Sequence, residues 1–394
     1  MTEIEYFCGI DVSKHSFSVA IKNGKFIVKD KVFTMNKEGF NGLENMLKEF
    51  KENLLIGMES TGIYHNNLFN FLRENGYNSR IVNPYMVFQF FKFSRNKPTR
   101  TDKKDAQTIA NFLEFNKKAL IKENYLGEEE KERIRYLVRE KERTTHLIAQ
   151  TKTEIRRILS VVFPEMEKEP GIFSQEILDL LSEFSSSQKI RTLPKEEFLS
   201  KTKEFREKGK GNHSKLSFER IYELANNSIA FEYPYYEELL KLKIKRLKDL
   251  LKEKDYINKI IEENANKIFK REIEILTSIP GIGRESAIYL MAELINIKRF
   301  ENYRKLIGFC GLDPVIKQSG KFKASFRISK RGNAHARRIV WIMAGCVKKS
   351  CPYFREYYLK KRNEGKSYKE AVIATSTKLL RVIYALLSEN RTFK

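Results

Sequence analysis

The stretch YFCGIDVSKHSFSVAIKNGKFIVKDKVF, residues 6–33, reads as three short strands in succession. Tyr6–Val12 is the first, and Ser16–Lys22 and Lys25–Val32 follow, joined through Asn23-Gly24. Asn-Gly readily adopts the left-handed backbone of a two-residue hairpin, so the pair predicts a tight reversal. Downstream, Phe40, Leu43, Leu47 and Phe50 recur at 3- and 4-residue steps and predict a helix over Lys37–Phe50. The apolar run Leu54–Met58 predicts a buried strand, Asn66–Glu74 a helix, Ser79–Asn83 a short strand and Asp102–Asn116 another helix.

The order β-β-β-α-β-α-β-α is that of the RNase H-like fold, and residues 1–117 are expected to form one α/β domain of that type. A long charged helix follows from about Glu128 to Val162, with Ile134, Leu137, Thr144, Ile148, Ile155, Ile158 and Val162 in mostly 3-, 4- and 7-residue steps, and Pro164 ends it. A second runs from about Tyr235 to Lys270, with Leu240, Ile244, Leu247 and Leu251 along one face. Both read as coiled-coil or helical-hairpin segments, or as helices packed on their own domain. The expected organisation is therefore a coiled-coil helix over 118–164, an insertion of no assignable role over 165–234, a second coiled-coil helix over 235–271 and a mainly helical domain over 272–394. Within the insertion, Ser185-Ser186-Ser187 and a charged stretch around Gly209 and Gly211 give a heterogeneous composition.

Across 394 residues, 75 Lys and Arg face 51 Asp and Glu, a net charge of +24. Such an excess favours a polyanionic partner bound in a salt-dependent way, although a basic composition alone is also compatible with a merely soluble protein. Cys8, Cys310, Cys346 and Cys351 form no CxxC pair and the five histidines are scattered, which speaks against zinc. The absence of a disulfide framework suits a reducing cytoplasm, with association to the nucleoid as the expected location. No apolar run approaches the roughly 18 residues of a membrane span, and Met1–Tyr6 lacks a signal-peptide pattern.

Four carboxylates stand out. Asp11 lies inside the first strand, in Gly9-Ile10-Asp11-Val12-Ser13-Lys14, where a charge is costly unless paired or metal-bound. Glu59 ends the apolar run and opens Ser60-Thr61-Gly62. In an RNase H-like sheet the first and fourth strands are neighbours, which sets Glu59 beside Asp11. Asp102 and Asp105 share one face at the start of a helix. Singly, each is equally at home as a turn former, strand-end cap or helix cap. Together they match the requirement of two-metal catalysis for oxygen ligands converging from separate elements. All-oxygen ligation points to magnesium or manganese.

Two basic regions complete the pattern. Between Phe88 and Arg100, aromatics alternate with Lys92, Arg95, Lys97 and Arg100, which fits phosphate and base contact, while the Phe residues fit equally a buried stripe. Pro280-Gly281-Ile282-Gly283 precedes the apolar helix Glu285–Leu294. Gly281 and Gly283 serve either a phosphate at a helix start or a tight structural turn. From Val315 to Lys349 there are ten Lys or Arg and no acidic residue, including Lys317, Lys321, Lys323, Arg327, Lys330, Arg331, Arg337 and Arg338. This is the chain's best electrostatic footprint for nucleic acid, the alternative being a solvated basic face. Ser319, in Gln318-Ser319-Gly320-Lys321, sits amid these cations, either as an activated nucleophile or as a hydroxyl that only contacts phosphate.

Gly9-Ile10-Asp11-Val12-Ser13-Lys14, Glu59-Ser60-Thr61-Gly62 and Thr101-Asp102-Lys103-Lys104-Asp105-Ala106 resemble the DEDD signature of a group of prokaryotic insertion-sequence transposases. Pro280-Gly281-Ile282-Gly283, Gly311-Leu312-Asp313-Pro314, Gln318-Ser319-Gly320 and Ser329-Lys330-Arg331-Gly332-Asn333 resemble that family's C-terminal serine transposase domain. The resemblance covers both ends of the chain and leaves the middle insertion unmatched. It implies an RNA-guided recombinase, in which a structured bridge RNA pairs with donor and target double-stranded DNA. It further implies assembly as a homo-oligomer, dimer to tetramer, through the coiled coils, with the carboxylates of one protomer joined to the serine of another. By motif position the nucleophile that forms a covalent protein–DNA link is Ser319, with Ser325 and Ser329 as alternatives. A junction-resolving nuclease using metal-activated water and a non-catalytic nucleic-acid-binding protein are the competing expectations.

Overall fold

The computed structural model describes residues 4–59, 64–82, 87–88, 90–91, 102–117, 129–208, 216–315, 318–319, 322–323 and 327–394; at 129, 207–208, 315, 318–319, 322–323 and 327 it describes the backbone alone. The chain divides into two compact units, Met1–Gly127 and Glu128–Lys394.

In the first unit the expected element order is what forms. Strands β1 (Tyr6–Val12), β2 (Ser16–Asn23) and β3 (Phe26–Thr34) precede helix α1 (Lys37–Leu47). Strand β4 (Leu54–Glu59), helix α2 (His65–Glu74), strand β5 (Ser79–Val82) and helix α3 (Asp102–Phe115) follow. Helix α1 stops short of the predicted Phe50 and tightens into a 3₁₀ stretch, Lys48–Asn53, which delivers the chain to β4. The five strands make one mixed sheet in the order β3-β2-β1-β4-β5. β1 pairs antiparallel with β2 and parallel with β4.

Alternation along β1 divides the core between the two faces of the sheet. Cys8, Ile10 and Val12 pack with Leu43 and Leu47 of α1 and Leu68 and Leu72 of α2. Phe7 packs with Leu55, Ile109, Phe112 and Leu113 on the α3 side. Phe90 packs on this second core, its ring edge-on to Phe112 and tilted against Phe115, and Phe91 is buried.

Among its described residues the second unit has four two-residue strands and is otherwise mostly helical. Helix α4 (Glu129–Val162) is followed by α5 (Pro164–Glu167), α6 (Gln175–Glu183), α7 (Ser187–Arg191), α8 (Lys195–Lys208), α9 (Phe218–Asn226) and α10 (Pro234–Ile268). The two long helices, α4 and α10, pack on each other within one chain. Lys141 meets Asn258, Thr144 meets Glu253 and Glu154 meets Lys243, an antiparallel order. Of the expected alternatives, the helical hairpin is the arrangement observed.

The insertion is a lobe at the tip of this hairpin, with Phe163, Leu181, Phe198 and Ile221 packed against Ile155, Leu159, Leu240 and Ile244. Its Ser185-Ser186-Ser187 run is fully buried. Lys189 pairs with the buried Glu237 at 2.5 Å, and Ser185 donates to the same carboxylate at 3.2 Å.

Beyond the hairpin, α11 (Lys270–Thr277), α12 (Arg284–Leu294), α13 (Tyr303–Phe309), α14 (Ala334–Ser350), α15 (Pro352–Asn363) and α16 (Tyr368–Ser388) share a core with Ile134, Val138, Ile257 and Ile261 at the hairpin's other end. Helix α16 corrects the expectation about membrane spans: its 21 residues are long and apolar enough to cross a bilayer by length and composition. Its Leu379, Leu380, Ile383 and Leu386 instead face the shared core.

Candidate active site

The first unit brings the two strand carboxylates side by side. Gly9 lies opposite Gly57 and Ile10 opposite Met58 in the parallel β1–β4 register, so the next pair along is Asp11 and Glu59. Both project toward α3. A Cβ on Gly9 would lie 2.0 Å from the Ala106 carbonyl oxygen and one on Gly57 2.6 Å from Leu113, and the two-residue period carries this facing on to Asp11 and Glu59.

Glycine at both positions is what lets α3 lie against the sheet. The helix runs antiparallel to β1: buried Lys22, opposite Phe7, reaches Glu114 at 2.7 Å and Asn111 at 2.5 Å, whereas Ala106 sits over Gly9. The first turn, with Asp102 and Asp105, is consequently at the Asp11 end. Asp11, Glu59 and Asp105 are half-buried and Asp102 is exposed. The backbone thus sets Asp11 next to Glu59 and turns the first turn of α3, with Asp102 and Asp105, toward the same end of the sheet. Among the described residues their side chains do not close into a group of three or more that would hold a metal ion. Lys92, Arg95, Lys97 and Arg100 lie outside the described residues.

In the second unit Ser319 belongs to a two-stranded antiparallel ribbon. β6 (Pro314–Val315) pairs with β9 (Arg327–Ile328), and further out β7 (Gln318–Ser319) pairs with β8 (Phe322–Lys323). Ser319 lies opposite Phe322, next to the ribbon's outer end. Lys317, Lys321 and Ser325 lie outside the described residues, and Lys323 and Arg327 are described in their backbone only.

The base of the ribbon is tightly built. Ser329 donates its hydroxyl proton to Asp313 Oδ1 at 2.6 Å and accepts from the Arg331 N–H at 3.3 Å. The Ser329 N–H donates to the Asp313 carbonyl and that of Lys330 to the Gly311 carbonyl. Gly311, at φ +63°, and Gly332 interlock, a Cβ on Gly332 falling 2.3 Å from the Phe309 carbonyl oxygen. Lys330 itself is left-handed at φ +54°, a backbone conformation costly for a side-chain-bearing residue. Its side chain and that of Arg331 are exposed.

Behind the base lies a buried polar network that motif reading missed. Glu293 of α12 is 1% exposed. It accepts two hydrogen bonds from Arg139 of α4, both at 2.8 Å, and one from the Asn333 amide at 2.6 Å. Asn333 in turn caps α14 by accepting from the Ala336 N–H. Burial works to raise the Glu293 pKa, but hydrogen bonds from Arg139 and Asn333 outweigh it and hold the carboxyl below its ordinary value. Burial pushes the neighbouring Cys310 thiol up to about 12.

Several predicted phosphate contacts have protein partners. Arg337 donates to the Cys310 carbonyl at 2.9 Å, and Arg338 pairs with Glu142 at 2.5 Å, a carboxylate also bonded to His335. Gly281 turns at φ +98°, and a Cβ there would fall 3.0 Å from the backbone of Cys346 and Val347, which favours the structural reading. Gly283, the N-cap of α12, faces open space.

In comparison with known proteins, residues 8–164 match a DEDD-type model described as a transposase, and residues 273–359 match the model of the transposase IS116/IS110/IS902 family. The two matches together span more than half of the chain, which belongs to the IS110/IS116/IS902 family of transposases. Among curated relatives, an uncharacterized 42 kDa protein of insertion element IS900 from Mycobacterium paratuberculosis is 30% identical over 34% of this chain and 33% of its own length. The transposase of element IS1111A from Coxiella burnetii is 29% identical over 34% and 38%. A pilin gene-inverting protein from Moraxella bovis is 27% identical over 33% and 41%. The chain thus spans only a third to two fifths of the length of these relatives.

Proposed function

We propose that the protein is the DNA recombinase of an insertion sequence, cutting and rejoining donor and target DNA. The observation that supports this reading is that the β1–β4 register sets Asp11 beside Glu59, with the first turn of α3, which carries Asp102 and Asp105, at the same end of the sheet. The order of strands and helices in this unit is consistent with an RNase H-like, RuvC-like domain. The donors are all carboxylate oxygens and suit magnesium or manganese. Asp11, Glu59, Asp102 and Asp105 would hold such cations, which would neutralise the charge on a phosphodiester under attack.

The protein's own chemistry is assigned to Ser319. Its hydroxyl oxygen bonds to phosphorus, one P–O ester bond of the DNA strand breaks, the serine proton passes to a base and the leaving oxygen takes up a proton. The phosphoserine so formed keeps the ester for rejoining, when the incoming strand's hydroxyl displaces the serine. Lys330 and Arg331, exposed beside the ribbon base, suit phosphate contact. A structured guide RNA, a dimer-to-tetramer assembly and a site shared between protomers belong to the same proposal and rest on the motif resemblance.

The test is a reaction of the protein with cognate element DNA, RNA and magnesium, resolved on a denaturing gel. Protein covalently attached to DNA, lost in Ser319→Ala, is the expected result. Efficient recombination by Ser319→Ala sinks the serine step, and strand cleavage without attached protein points to hydrolysis by activated water. Asp11→Asn is expected to abolish cleavage at unchanged nucleic-acid affinity.

A further inference from the structure

Helix α15 packs against α14 and α16. Phe354 is its one buried side chain, with Tyr357, Tyr358 and Lys361 half-buried beside it. Arg355, Leu359, Lys360 and Arg362 point outward, and exposed Lys366 and Lys369 continue the surface onto the start of α16. From Lys348 to Lys378 the chain carries nine Lys or Arg against Glu356, Glu364 and Glu370. Two of these three carboxylates are engaged locally: Glu364 pairs with Lys361 at 2.7 Å, and Glu370 closes the capping box of α16 with Ser367. The outward cations are therefore left in excess.

Tyrosines order this surface. Lys348 lies 4.3 Å from the centre of the Tyr358 ring and 4.5 Å from that of Tyr368. Lys378 lies over Tyr353 and Tyr357 at 4.9 and 5.7 Å. All four rings thus carry a lysine at cation–π distance, which fixes rings and charges together as a stiff array. A base-stacking platform needs its ring faces for bases, whereas an array of fixed cations suits phosphates.

Position supplies the rest. Helix α14 begins at the ribbon base and α15 begins just past its end. At about 1.5 Å per residue the 17 residues of α14 span about 25 Å, or about seven base-pair steps. We propose that α15 and the start of α16 bind the phosphate backbone of duplex DNA flanking the cut, away from the reacting phosphate. This rests on the recombinase reading above, and neither Lys360, Lys366 nor Lys369 belongs to the catalytic machinery.

The experiment is fluorescence anisotropy of the full chain with a 30-base-pair duplex DNA, a single strand of equal length and an RNA duplex, across a salt series. Substituting Lys360, Lys366 and Lys369 together by alanine is expected to weaken duplex DNA binding by roughly tenfold or more at about 0.1 M salt, whatever the sequence. The slope of log affinity against log salt should fall by about 2.7, at ~0.9 for each phosphate no longer neutralised. The triple arginine variant should restore the slope, and emission from Trp341 should match wild type in all variants. An unchanged slope in the alanine variant, with wild type binding duplex DNA normally, overturns the surface assignment. So does a loss confined to RNA or to the single strand. Failure of the wild type itself to bind duplex DNA in a salt-dependent way instead defeats the recombinase reading.

Discussion

Glu293→Gln removes one charge from the interior while leaving the volume almost unchanged, so its effect isolates the network behind the ribbon base. The wild-type carboxylate accepts from Arg139 twice and from Asn333 once. Glutamine offers one oxygen and one amide, and that amide must face a donor. Asn333 does not relieve the clash by flipping, because its own oxygen caps α14. Loss of the charge-assisted bonds and one unsatisfied buried donor together amount to about 3 kcal/mol; Arg139, 37% exposed, recovers some hydration and keeps the figure from rising further. Trp341 is the chain's single tryptophan and lies on α14, so urea denaturation followed by its emission reads this unit directly. The midpoint should fall by about 1 M at neutral pH.

Acid should shrink the difference. The Glu293 carboxyl titrates lower in the folded than in the unfolded state, so its contribution is complete above the unfolded value of about 4.3 and is lost as the pH falls through the folded one. Wild type should therefore lose stability faster than the glutamine variant on acidification below that point. Equal urea midpoints for the two proteins at pH 7 would refute the claim that this pair ties α4 to α12 and α14.

Two glycine comparisons test the packing arguments. Gly9→Ala drives a Cβ into the Ala106 carbonyl and should cost about 3 kcal/mol and release α3 to protease, whereas Gly57→Ala meets only the movable Leu113 side chain and should cost nearer 1. A reversed ranking in thermal denaturation would show that α3 does not lie over β1 as described. In the second unit, Gly281→Ala combines a left-handed backbone with a 3.0 Å approach to α14 and should cost about 2 kcal/mol, while Gly283→Ala, facing open space, should stay within about 0.5. Similar losses for both, measured by Trp341 emission in urea, would mean that the turn is held by something other than this packing.

What the sequence made legible follows from which interactions are periodic. Helices α1 and α3 bury regular stripes and β1, β2 and β4 bury compact apolar runs, so spacing and run length reveal them, while β3, exposed but for Phe33, is revealed by the Asn23-Gly24 turn before it; the two-residue period of a strand sets Asp11 and Glu59 on the face of Gly9 and Gly57. Interactions between distant points of the chain leave no such trace. Ser185-Ser186-Ser187 lies in a stretch with no readable period, yet it is buried: Ser185 donates to Glu237 and accepts from Lys189, Ser186 accepts from the Lys189 N–H and Ser187 donates to the Val162 carbonyl. Arg338 reads as a cation available to phosphate until Glu142, nearly two hundred residues upstream, is found paired with it. The ribbon pairs only two residues at a time, too few for any period, and Asp313 and Ser329 reveal their bond only once the two ends of that ribbon meet. For the same reason a run of basic residues is a poor guide to which cations remain for DNA. In α14 the charges seen in sequence are partly neutralised from within, whereas α15 and the start of α16 carry a thinner run whose acidic neighbours are engaged and whose lysines face outward. The net surface charge that meets a phosphate is set by who pairs with whom in three dimensions, which is why the proposed contact falls on a segment whose sequence advertised it less.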